Sequence, residues 1–303
     1  MPPTEFINAF TVDVEDYYQV TAFEKNISRD QWGNFESRVV VNNRRLLDLL
    51  ARKKVHGTFF VLGWVAARFP QLVQEIHAAG HELACHSYWH RLVYTLTPEE
   101  FRQDLRDCKA AIYEATGVTV TAYRAPSFSI TAKSLWALDV LAEEGFTVDS
   151  SVFPTRHDRY GIPGAKTEIH ELTTSSGTIC EYPPTIAKIA GCNIPAGGGG
   201  YFRLYPWFLN NYLLRQVNQA GRPFMFYVHP WEVDPQQPRM PFASRGTRFR
   251  HYVNLAGTEA KLERLLDTFR FGTLSESLAQ VRSTTSSSAM SHIIVHTGVC
   301  SVL

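Results

Sequence analysis

The chain has 303 residues, and its 30 Lys and Arg against 29 Asp and Glu give a net charge of +1. This balance gives no electrostatic reason to expect nucleic acid or a membrane surface as a partner, and 45% hydrophobic residues exclude global disorder. The five cysteines are widely spaced without a CxxC motif, which argues against a disulfide framework or zinc ribbon and indicates a reducing compartment. Residues 1–8 show no secretory signal, and no run of about 18 apolar residues occurs. These features predict a cytoplasmic protein with no stable membrane insertion.

Apolar periodicity and turn residues divide the chain into alternating strands and helices. Strands are predicted over 6–14, 55–62, 82–85, 119–123, 146–148 and 223–228. Helices are predicted over 42–53, 65–79, 97–116, 131–144, 206–219, 258–271 and 274–281. The clearest begins at Thr97, which forms a capping box with Glu100. Pro98 occupies its first helical position, and Gly117 follows its last residue.

The alternation of strand and helix is typical of a parallel α/β sheet, and its repetition over this length favours a closed or nearly closed barrel. No glycine-rich phosphate loop follows the first predicted strand, which argues against a dinucleotide-binding fold. The glycines at 197–200 do not lie at a strand-to-helix turn and are interpreted as a flexible loop. Serine and threonine dominate from Ser283, so we expect one domain over 1–282 and a disordered tail over 283–303.

Polar clusters follow four of the predicted strands. They are the acidic group Asp13, Glu15 and Asp16, the pair His86 and His90, then Arg124, and finally His229. Each cluster alone is a weak signal. In an α/β barrel, however, the carboxyl ends of the strands form one rim, and the active site lies there. The shared position of the four clusters therefore predicts a single site.

The spacing of His86 and His90 brings two imidazoles within reach of one ion. Two ordinary histidines near the surface are the alternative explanation of that spacing. A carboxylate from residues 13–16 would complete a two-His, one-carboxylate face, which leaves positions for water and substrate as catalytic metal sites require. A second acid of the same group would remain free to act as a general base.

Arg124 and His229 offer two further functions at the rim. Arg124 lies two residues before Pro126, and its guanidinium could hold a carboxylate base through a bidentate pair. A structural ion pair is the alternative for this residue. His229 ends the last clear predicted strand and could protonate a leaving amine, although a buried core histidine is the alternative.

These motifs resemble, in order, those of the polysaccharide deacetylases, which carry the nodulation-type chitooligosaccharide deacetylase homology domain of carbohydrate esterase family four. The resemblance is carried by 11–16, 86–90, 124–126 and the strand that ends at His229, with support from 58–60 and 80–83. From about residue 154 the chain is similar to the extension of a subgroup encoded beside exosortase/PEP-CTERM exopolysaccharide loci. The similar segments there are 197–207, 229–239 and 248–254.

The resemblance implies a deformed (β/α) barrel of about seven parallel strands with a C-terminal helical extension. It also implies metal-dependent hydrolysis of N-acetyl groups on amino sugars. Carried over position by position, it assigns the catalytic base to Asp13, metal binding to His86 and His90, orientation of the base to Arg124, and the general acid to His229.

The metal-binding carboxylate is left open between two residues. The usual first motif has two adjacent aspartates, whereas here Val14 follows Asp13 and precedes Glu15 and Asp16. Strand alternation sends Asp13 and Glu15 to one side, which favours Glu15, but a local bulge would present Asp16 instead. Zn²⁺ is the favoured divalent ion.

The favoured function is removal of N-acetyl groups from a polysaccharide or lipid-linked oligosaccharide in exopolysaccharide biosynthesis. Tyr201 and Trp231 are candidates to stack on the sugar rings of this N-acetylated glycan, with core packing as the alternative. A backbone N–H near Ser127 or Phe128 is a candidate oxyanion donor. The rival functions are a metal-independent hydrolase of a cyclic amide or ureide, a non-haem iron oxygenase, and a non-catalytic carbohydrate-binding protein. The sequence leaves the oligomeric state open.

Overall fold

The computed structural model of the protein describes residues 6–157 and 159–293. Its strands are β1 (Asn8–Val14), β2 (Thr58–Val61), β3 (Glu82–Cys85), β4 (Ala122–Tyr123), β5 (Val148–Asp149), β6 (His170–Thr174), β7 (Gly177–Glu181), β8 (Ile186–Ile189), β9 (Cys192–Pro195), β10 (Met225–Val228) and β11 (Phe271–Gly272). Its helices are α1 (Val39–Lys53), α2 (Gly63–Arg68), α3 (Pro70–Ala78), α4 (Pro98–Thr116), α5 (Trp136–Glu143), α6 (Gly199–Leu204), α7 (Trp207–Gln219), α8 (Arg245–Tyr252), α9 (Thr258–Thr268) and α10 (Leu274–Ile293). The alternation of strands and helices along the first half is the one expected from the sequence.

Parallel strands form the centre of the molecule. Within the described residues the order of hydrogen-bonded neighbours is β10-β1-β2-β3-β4-β5-β7-β6, and every pair from β10 to β7 is parallel. Strand β6 is antiparallel to β7, and β11 adds a short parallel pairing to β1. The run from β10 to β7 agrees with the expected deformed barrel of about seven parallel strands.

The two ends of this parallel run are joined by irregular chain rather than by a regular ladder. Thr185, which follows β7, donates through Oγ1 to the carbonyl of Met225 in β10 and accepts from the N–H of Met225, at 2.6 and 2.8 Å. The N–H of Tyr227 in β10 donates to the carbonyl of Gly197 at 2.7 Å. These contacts draw the edges of the sheet together and make the barrel irregular on this side.

Alternate residues of β1 face opposite sides, as the pleat of a strand requires. Phe10, Val12 and Val14 belong to the large core between the sheet and the helices, whereas Ala9 belongs to a smaller cluster with Phe60 of β2. All residues of β1 are buried, because the helices cover one side and the barrel interior covers the other. Asp13 has the parity of Ala9 and therefore lies on the interior side, at the carboxyl end of the strand.

The predicted helix over 65–79 is wrong in one respect, because two helices, α2 and α3, occupy this region. They meet at Phe69, whose φ of −131° and ψ of 57° are not helical. Pro70 follows immediately, and the proline ring disfavours helical geometry at the residue before it. The Thr97–Glu100 capping box is present as predicted.

The interpretation of the glycines at 197–200 as a flexible loop is also wrong. Gly199 begins α6, and Gly198 forms a parallel bridge with Tyr227. A Cβ on Gly198 would lie 1.9 Å from the carbonyl oxygen of Tyr227, so only glycine permits this close approach. The sequence had also given no signal for strands β6 to β9, which form two hairpins.

The C-terminal end of the described chain is helical. Helix α10 runs past Ser283 to Ile293, into the segment predicted as a disordered tail, and the remainder of that predicted tail, 294–303, lies outside the described residues. Ser277 of α10 bonds with Tyr182, and the Leu274 N–H donates to Thr58 at the amino end of β2. The helix thus packs at the end of the barrel opposite the rim. Among the described helices, none has the length and apolar character that crossing a bilayer demands.

Candidate active site

The predicted site residues come together at the carboxyl rim of the barrel. A cleft of about 370 Å³ lies there, lined by Asp13, Glu15, His86, His90 and His229 among others. Three of the clusters directly follow strands β1, β3 and β10, and Arg124 follows β4 behind Asp13. The inference of a single site from four strand ends therefore agrees with the geometry.

Three side chains form a compact set of potential metal ligands. One ligand atom each from Glu15, His86 and His90 lies within 4.8 Å of the others, and all three residues are buried. Oε2 of Glu15 is 2.7 Å from Nε2 of His90, yet no donor is aligned to hydrogen-bond with it. Nδ1 of His86 is 2.9 Å from the Arg124 carbonyl, which fixes the proton there and leaves Nε2 for an ion. The orphaned buried oxygen and the nitrogen donors fit a divalent cation.

A strained turn brings the two histidines together. Ser87 and His90 have positive φ values of 69° and 50°, a conformation that costs energy for residues other than glycine. The buried carboxylate of Asp104 in α4 holds this turn by accepting from Ser87 Oγ and from the N–H groups of Tyr88 and Trp89. Asp104 was missed from the sequence, because nothing there links a helical acid to a loop about fifteen residues earlier.

The adjacent acids Glu15 and Asp16 have different environments. Burial opposes ionisation of Glu15, but the interactions of its carboxylate with His90, His229 and His86 outweigh burial and lower its pKa to about 2. Asp16 faces away and accepts hydrogen bonds from Ser37 and from the backbone N–H groups at the start of α1. Burial raises its pKa to about 6, against these hydrogen bonds. The geometry removes Asp16 from the candidate ligands and keeps Glu15.

Asp13 is paired with Arg124, as expected for a carboxylate that an arginine orients. Oδ1 of Asp13 accepts from the Arg124 guanidinium at 2.6 Å, and Arg124 is fully buried. The guanidinium also donates to Thr11 and Ser150 and lies 4.0 Å over the ring of Phe60. These contacts fix one oxygen of Asp13 and direct the other, Oδ2, toward the cleft.

His229 lines the cleft next to Asp13 and Glu15. Its Nε2 is 3.8 Å from Oδ2 of Asp13 and 3.7 Å from Oε1 of Glu15. Its Nδ1 is 2.7 Å from Oε1 of Glu232. Burial lowers the pKa of His229, but the hydrogen bond with Glu232 and the charges of Glu15, Glu232 and Asp13 outweigh it and raise the pKa to about 9. A charged His229 with Nε2 toward the cleft has a proton to donate.

Ser127 and Phe128, the candidate oxyanion donors, both line the cleft and have positive φ values of 51° and 52°. The N–H of Phe128 donates to the carbonyl of Ala125 at 3.0 Å and is therefore not free to bind an oxyanion. Ser127 is therefore the remaining candidate. Its hydroxyl is 2.7 Å from that of Thr21 on the other side of the cleft, which helps to hold the strained turn.

The two aromatic candidates for sugar stacking differ. Trp231 is only 6% exposed, stacks on His229 and His251, and donates through Nε1 to Glu15 at 3.3 Å. Trp231 also lines the cleft, but its contacts with the two histidines and Glu15 correspond to the core-packing alternative, so its stacking on a sugar ring stays a prediction. Tyr201 is partly exposed and lines the cleft, so it remains a candidate.

The region 149–151, a loose match to a further motif, contacts the site from behind. Ser150 Oγ accepts from Arg124, and Ser151 Oγ accepts from the N–H of Ala125. From the sequence no role was predicted for Glu232, which belongs to the polar cluster after the last clear strand, or for Arg203; both lie buried next to His229. The signal for Glu232 was its position three residues after His229 and two after Pro230, where a single tight turn brings the two side chains together.

The fold and the site define a (β/α)-barrel protein with a two-His, one-carboxylate centre at its rim. Residues 32–147 match the family model described as polysaccharide deacetylase, and residues 150–279 match a domain of unknown function, DUF3473. Residues 32–147 are therefore similar to polysaccharide deacetylases, in agreement with the resemblance of the motifs.

Named relatives share this similarity over part of the chain, and a solved structure shares the fold. The chain is 33% identical over 81 residues to chitin deacetylase 1 of Cryptococcus neoformans, covering 27% of this chain and 17% of the relative. It is 31% identical over 97 residues to a chitooligosaccharide deacetylase of Bradyrhizobium, covering 32% and 42%. A crystal structure described as a polysaccharide deacetylase from Mycobacterium smegmatis superposes with a TM-score of 0.59 at 22% identity, covering 94% and 93%. The chain thus spans less than half the length of these two relatives, and the solved structure supports the fold.

Proposed function

We propose that the protein is a metal-dependent hydrolase that removes N-acetyl groups from amino sugars of a glycan. The observation that carries the proposal is the meeting of three groups in one cleft. These are the Glu15–His86–His90 set, the Asp13–Arg124 pair, and His229. Hydrolysis of an unactivated amide needs a polarised carbonyl, a base for water and an acid for the amine, and these groups match the three requirements.

Glu15, His86 and His90 would hold the cation, which when bound supplies Lewis acidity to the acetamide carbonyl and lowers the pKa of the attacking water. Zn²⁺ is the proposed ion, because two imidazoles and one carboxylate are ligands that it accepts with a position left open. The Trp231 indole holds the carboxylate of Glu15, and the Arg124 carbonyl holds the ring of His86.

Asp13 is the proposed base. Since Arg124 binds Oδ1, the free Oδ2 faces the cleft and takes a proton from water as its oxygen bonds to the acetyl carbon. Arg124 supplies a counter-charge to Asp13 and holds it in one rotamer, which is a positioning effect. The Ser127 N–H is the proposed donor to the oxyanion that develops on the carbonyl oxygen.

His229 is the proposed acid. Its Nε2 faces the same cleft, and its proton passes to the sugar nitrogen as the carbon–nitrogen bond breaks. Acetate and a free amino sugar leave, and the proton taken up by Asp13 balances the one given by His229. Tyr201 at the cleft wall is the proposed contact for a sugar ring.

The proposed substrate is an N-acetylated polysaccharide or lipid-linked oligosaccharide of exopolysaccharide biosynthesis. The support is the resemblance of the second half to deacetylases encoded beside exosortase loci, together with the family of the first half. The curated relatives named above are, by name, a chitin deacetylase and a chitooligosaccharide deacetylase. The proposal extends this chemistry to the present chain.

The test is acetate release from a panel of N-acetylated saccharides, with the protein stripped of metal and then restored with Zn²⁺ or another divalent cation. We expect acetate from at least one saccharide, loss of activity after chelation, and recovery with the ion. Allantoin serves as the parallel substrate. Turnover of allantoin without metal would establish the cyclic-ureide hydrolase instead, and saccharide binding without acetate release would establish a carbohydrate-binding protein.

A further inference from the structure

We propose that Glu232 and Arg203 are positioning residues for His229, so that the second half of the chain supplies the support of the general acid. This inference rests on the proposed deacetylase function. It assigns a task to part of the region that matches a domain of unknown function, 150–279. The argument begins with the contacts of the His229 ring.

Glu232 holds His229 at two points. Its Oε1 is 2.7 Å from Nδ1 of the ring and accepts the backbone N–H of His229 at 3.0 Å. Pro230 begins the short 3₁₀ turn Pro230–Val233, which places Glu232 directly under His229. A carboxylate on Nδ1 keeps a proton on that nitrogen and leaves Nε2 as the atom that exchanges a proton with the substrate.

Arg203 fixes the other oxygen of Glu232. Its Nε donates to Oε2 at 2.6 Å, and both side chains are nearly inaccessible, at 3% and 1% exposure. The terminal nitrogens of the guanidinium donate to the carbonyls of Arg250, His251 and Val253, at 2.8 to 3.0 Å. Four of its five N–H groups thus have an acceptor, so the rotamer of Arg203 is fixed.

The arrangement mirrors the one around the base. Asp13 has one oxygen on Arg124 and the other toward the cleft, and Glu232 has one oxygen on Arg203 and the other on the acid. Two buried arginines therefore fix the two proton-transferring groups. Arg124 comes from the first half of the chain, whereas Arg203 comes from α6 in the second half.

Glu232→Gln separates positioning from packing, because it preserves shape but has one oxygen where Glu232 has two. Whichever way the amide of the variant turns, its single oxygen cannot serve the Nε–H of Arg203 and the two N–H groups of His229 together, so at least one donor loses its acceptor. In both orientations the negative charge beside the ring is gone, and with it the charge-assisted hydrogen bond to Nδ1. Arg203→Met and Arg203→Lys are the second and third variants. Methionine removes the charge and the donors, whereas lysine keeps the charge but lacks the planar set of N–H donors of the guanidinium.

The experiment compares two substrates that differ in their need for an acid. N-acetylated chitooligosaccharide has an amine leaving group that must be protonated, whereas 4-nitrophenyl acetate has a leaving group that departs as an anion. We expect Glu232→Gln and Arg203→Met to lower kcat on the saccharide by about tenfold or more and to leave ester turnover within about threefold. The kcat of Arg203→Lys on the saccharide should lie between that of these two variants and that of the parent. His229→Gln should likewise lose turnover of the saccharide and keep turnover of the ester.

The matched control is Asp234→Asn, which breaks the buried ion pair with Arg38 two residues beyond Glu232 without touching His229. It should change the two substrates in parallel. If Glu232→Gln also lowers both rates equally, its role is structural and the proposal is wrong.

A second readout needs no activity. In ¹⁵N-labelled parent protein the Nδ1 proton of His229 should give a downfield, slowly exchanging NMR signal, and Glu232→Gln should shift it upfield or remove it, because the charge-assisted hydrogen bond is lost. A signal that is unchanged in position and exchange rate in that variant overturns the positioning of His229 by Glu232. If the parent releases acetate from neither substrate, the proposed function fails, and the NMR comparison still decides whether Glu232 positions the ring.

Discussion

At the scale of single residues, burial of a carboxyl group is compatible with opposite roles. Glu15 and Asp16 are neighbours and both are buried, yet only Glu15 keeps an oxygen without an aligned donor. Asp16, in contrast, accepts hydrogen bonds from Ser37 and from the backbone N–H groups at the start of α1. Hydrogen-bond donors around the second oxygen, rather than burial or charge, therefore distinguish the candidate ligand from a structural acid.

This difference makes Glu15→Gln and Asp16→Asn a matched pair. Glu15→Gln should abolish stoichiometric binding of Zn²⁺, because the carboxylate of the three-ligand set is lost. Asp16→Asn should keep the metal and lower the free energy of unfolding by about 1–2 kcal/mol through lost hydrogen bonds. Metal content by mass spectrometry and urea denaturation measure the two effects. Metal loss in Asp16→Asn alone would reverse the assignment.

Asp13 provides a separate test of the base. Asp13→Asn should lower acetate release by about 10²–10⁴-fold, because the amide cannot take the proton of water. Metal binding should persist, since Asp13 is not in the ligand set, while the melting temperature falls because the buried Arg124 loses its counter-charge. Unchanged activity in this variant would remove Asp13 as the base.

At the scale of elements, the placement of α6 depends on the close approach of Gly198 to the backbone of Tyr227, which no periodic pattern in the sequence predicts. Gly198 has a φ of 132° and lies against the carbonyl of Tyr227, and α6 begins at the next residue. Because α6 carries Arg203 and Tyr201, this contact sets the position of part of the cleft wall.

Gly198→Ala should therefore damage both stability and function. Its Cβ would lie 1.9 Å from a backbone oxygen, so the strand or the helix must shift, at a cost of about 3 kcal/mol. Gly117→Ala is the control, because Gly117 also has a positive φ, 73°, but open space around it. There the cost should be about 1 kcal/mol, without loss of acetate release. Equal unfolding free energies for the two variants would contradict this account.

The sequence predicted those elements whose signals are local. Thr97 and Glu100 define the start of α4 by themselves, and the strand ends at Asp13, His86 and His229 follow from apolar runs. The site could be assembled because parallel strands bring their carboxyl ends to one rim. Arg203, by contrast, contacts Glu232 only because of the tertiary placement of α6, so no local sequence pattern predicts this ion pair.

At the scale of the whole molecule, the sheet crosses the boundary between the two matched regions. Residues 32–147 and 150–279 match different families, yet β4, β5 and β7 are successive parallel neighbours. Strand β10, from the second region, pairs with β1, which carries Asp13. The barrel and its rim are therefore built from both regions, and one domain over 1–282 stays a prediction.

A buried carboxyl pair lies at this junction. Asp149 of β5 and Glu181 of β7 are opposite each other in register, and both are fully buried. Neither Oδ2 of Asp149 nor Oε2 of Glu181 has another partner among the described residues. Burial, and then the negative charge of Asp149, raises the pKa of Glu181 well above its usual range, so that Glu181 is the protonated member of the pair.

The pair makes stability depend on pH in a defined direction. A carboxyl group whose pKa is higher in the folded chain stabilises the fold fully below its unfolded pKa of about 4, and this stabilisation is lost as the pH rises through the folded pKa. Glu181→Gln keeps a donor for Asp149 and needs no proton. The melting temperature of the variant minus that of the parent should therefore rise between pH 5 and pH 9, by several degrees in total.

Thermal unfolding at each pH, followed by circular dichroism, measures this difference. Glu171→Gln removes an exposed charge from the neighbouring strand β6 and serves as the control, with a difference that stays constant. If the melting temperatures of the Glu181→Gln variant and the parent changed in parallel with pH, Asp149 and Glu181 would share no proton. We also expect a single cooperative unfolding transition in the parent at each pH. The reason is that Asp149 and Glu181 lie on two paired strands, so the two regions of the chain share one sheet and should unfold together.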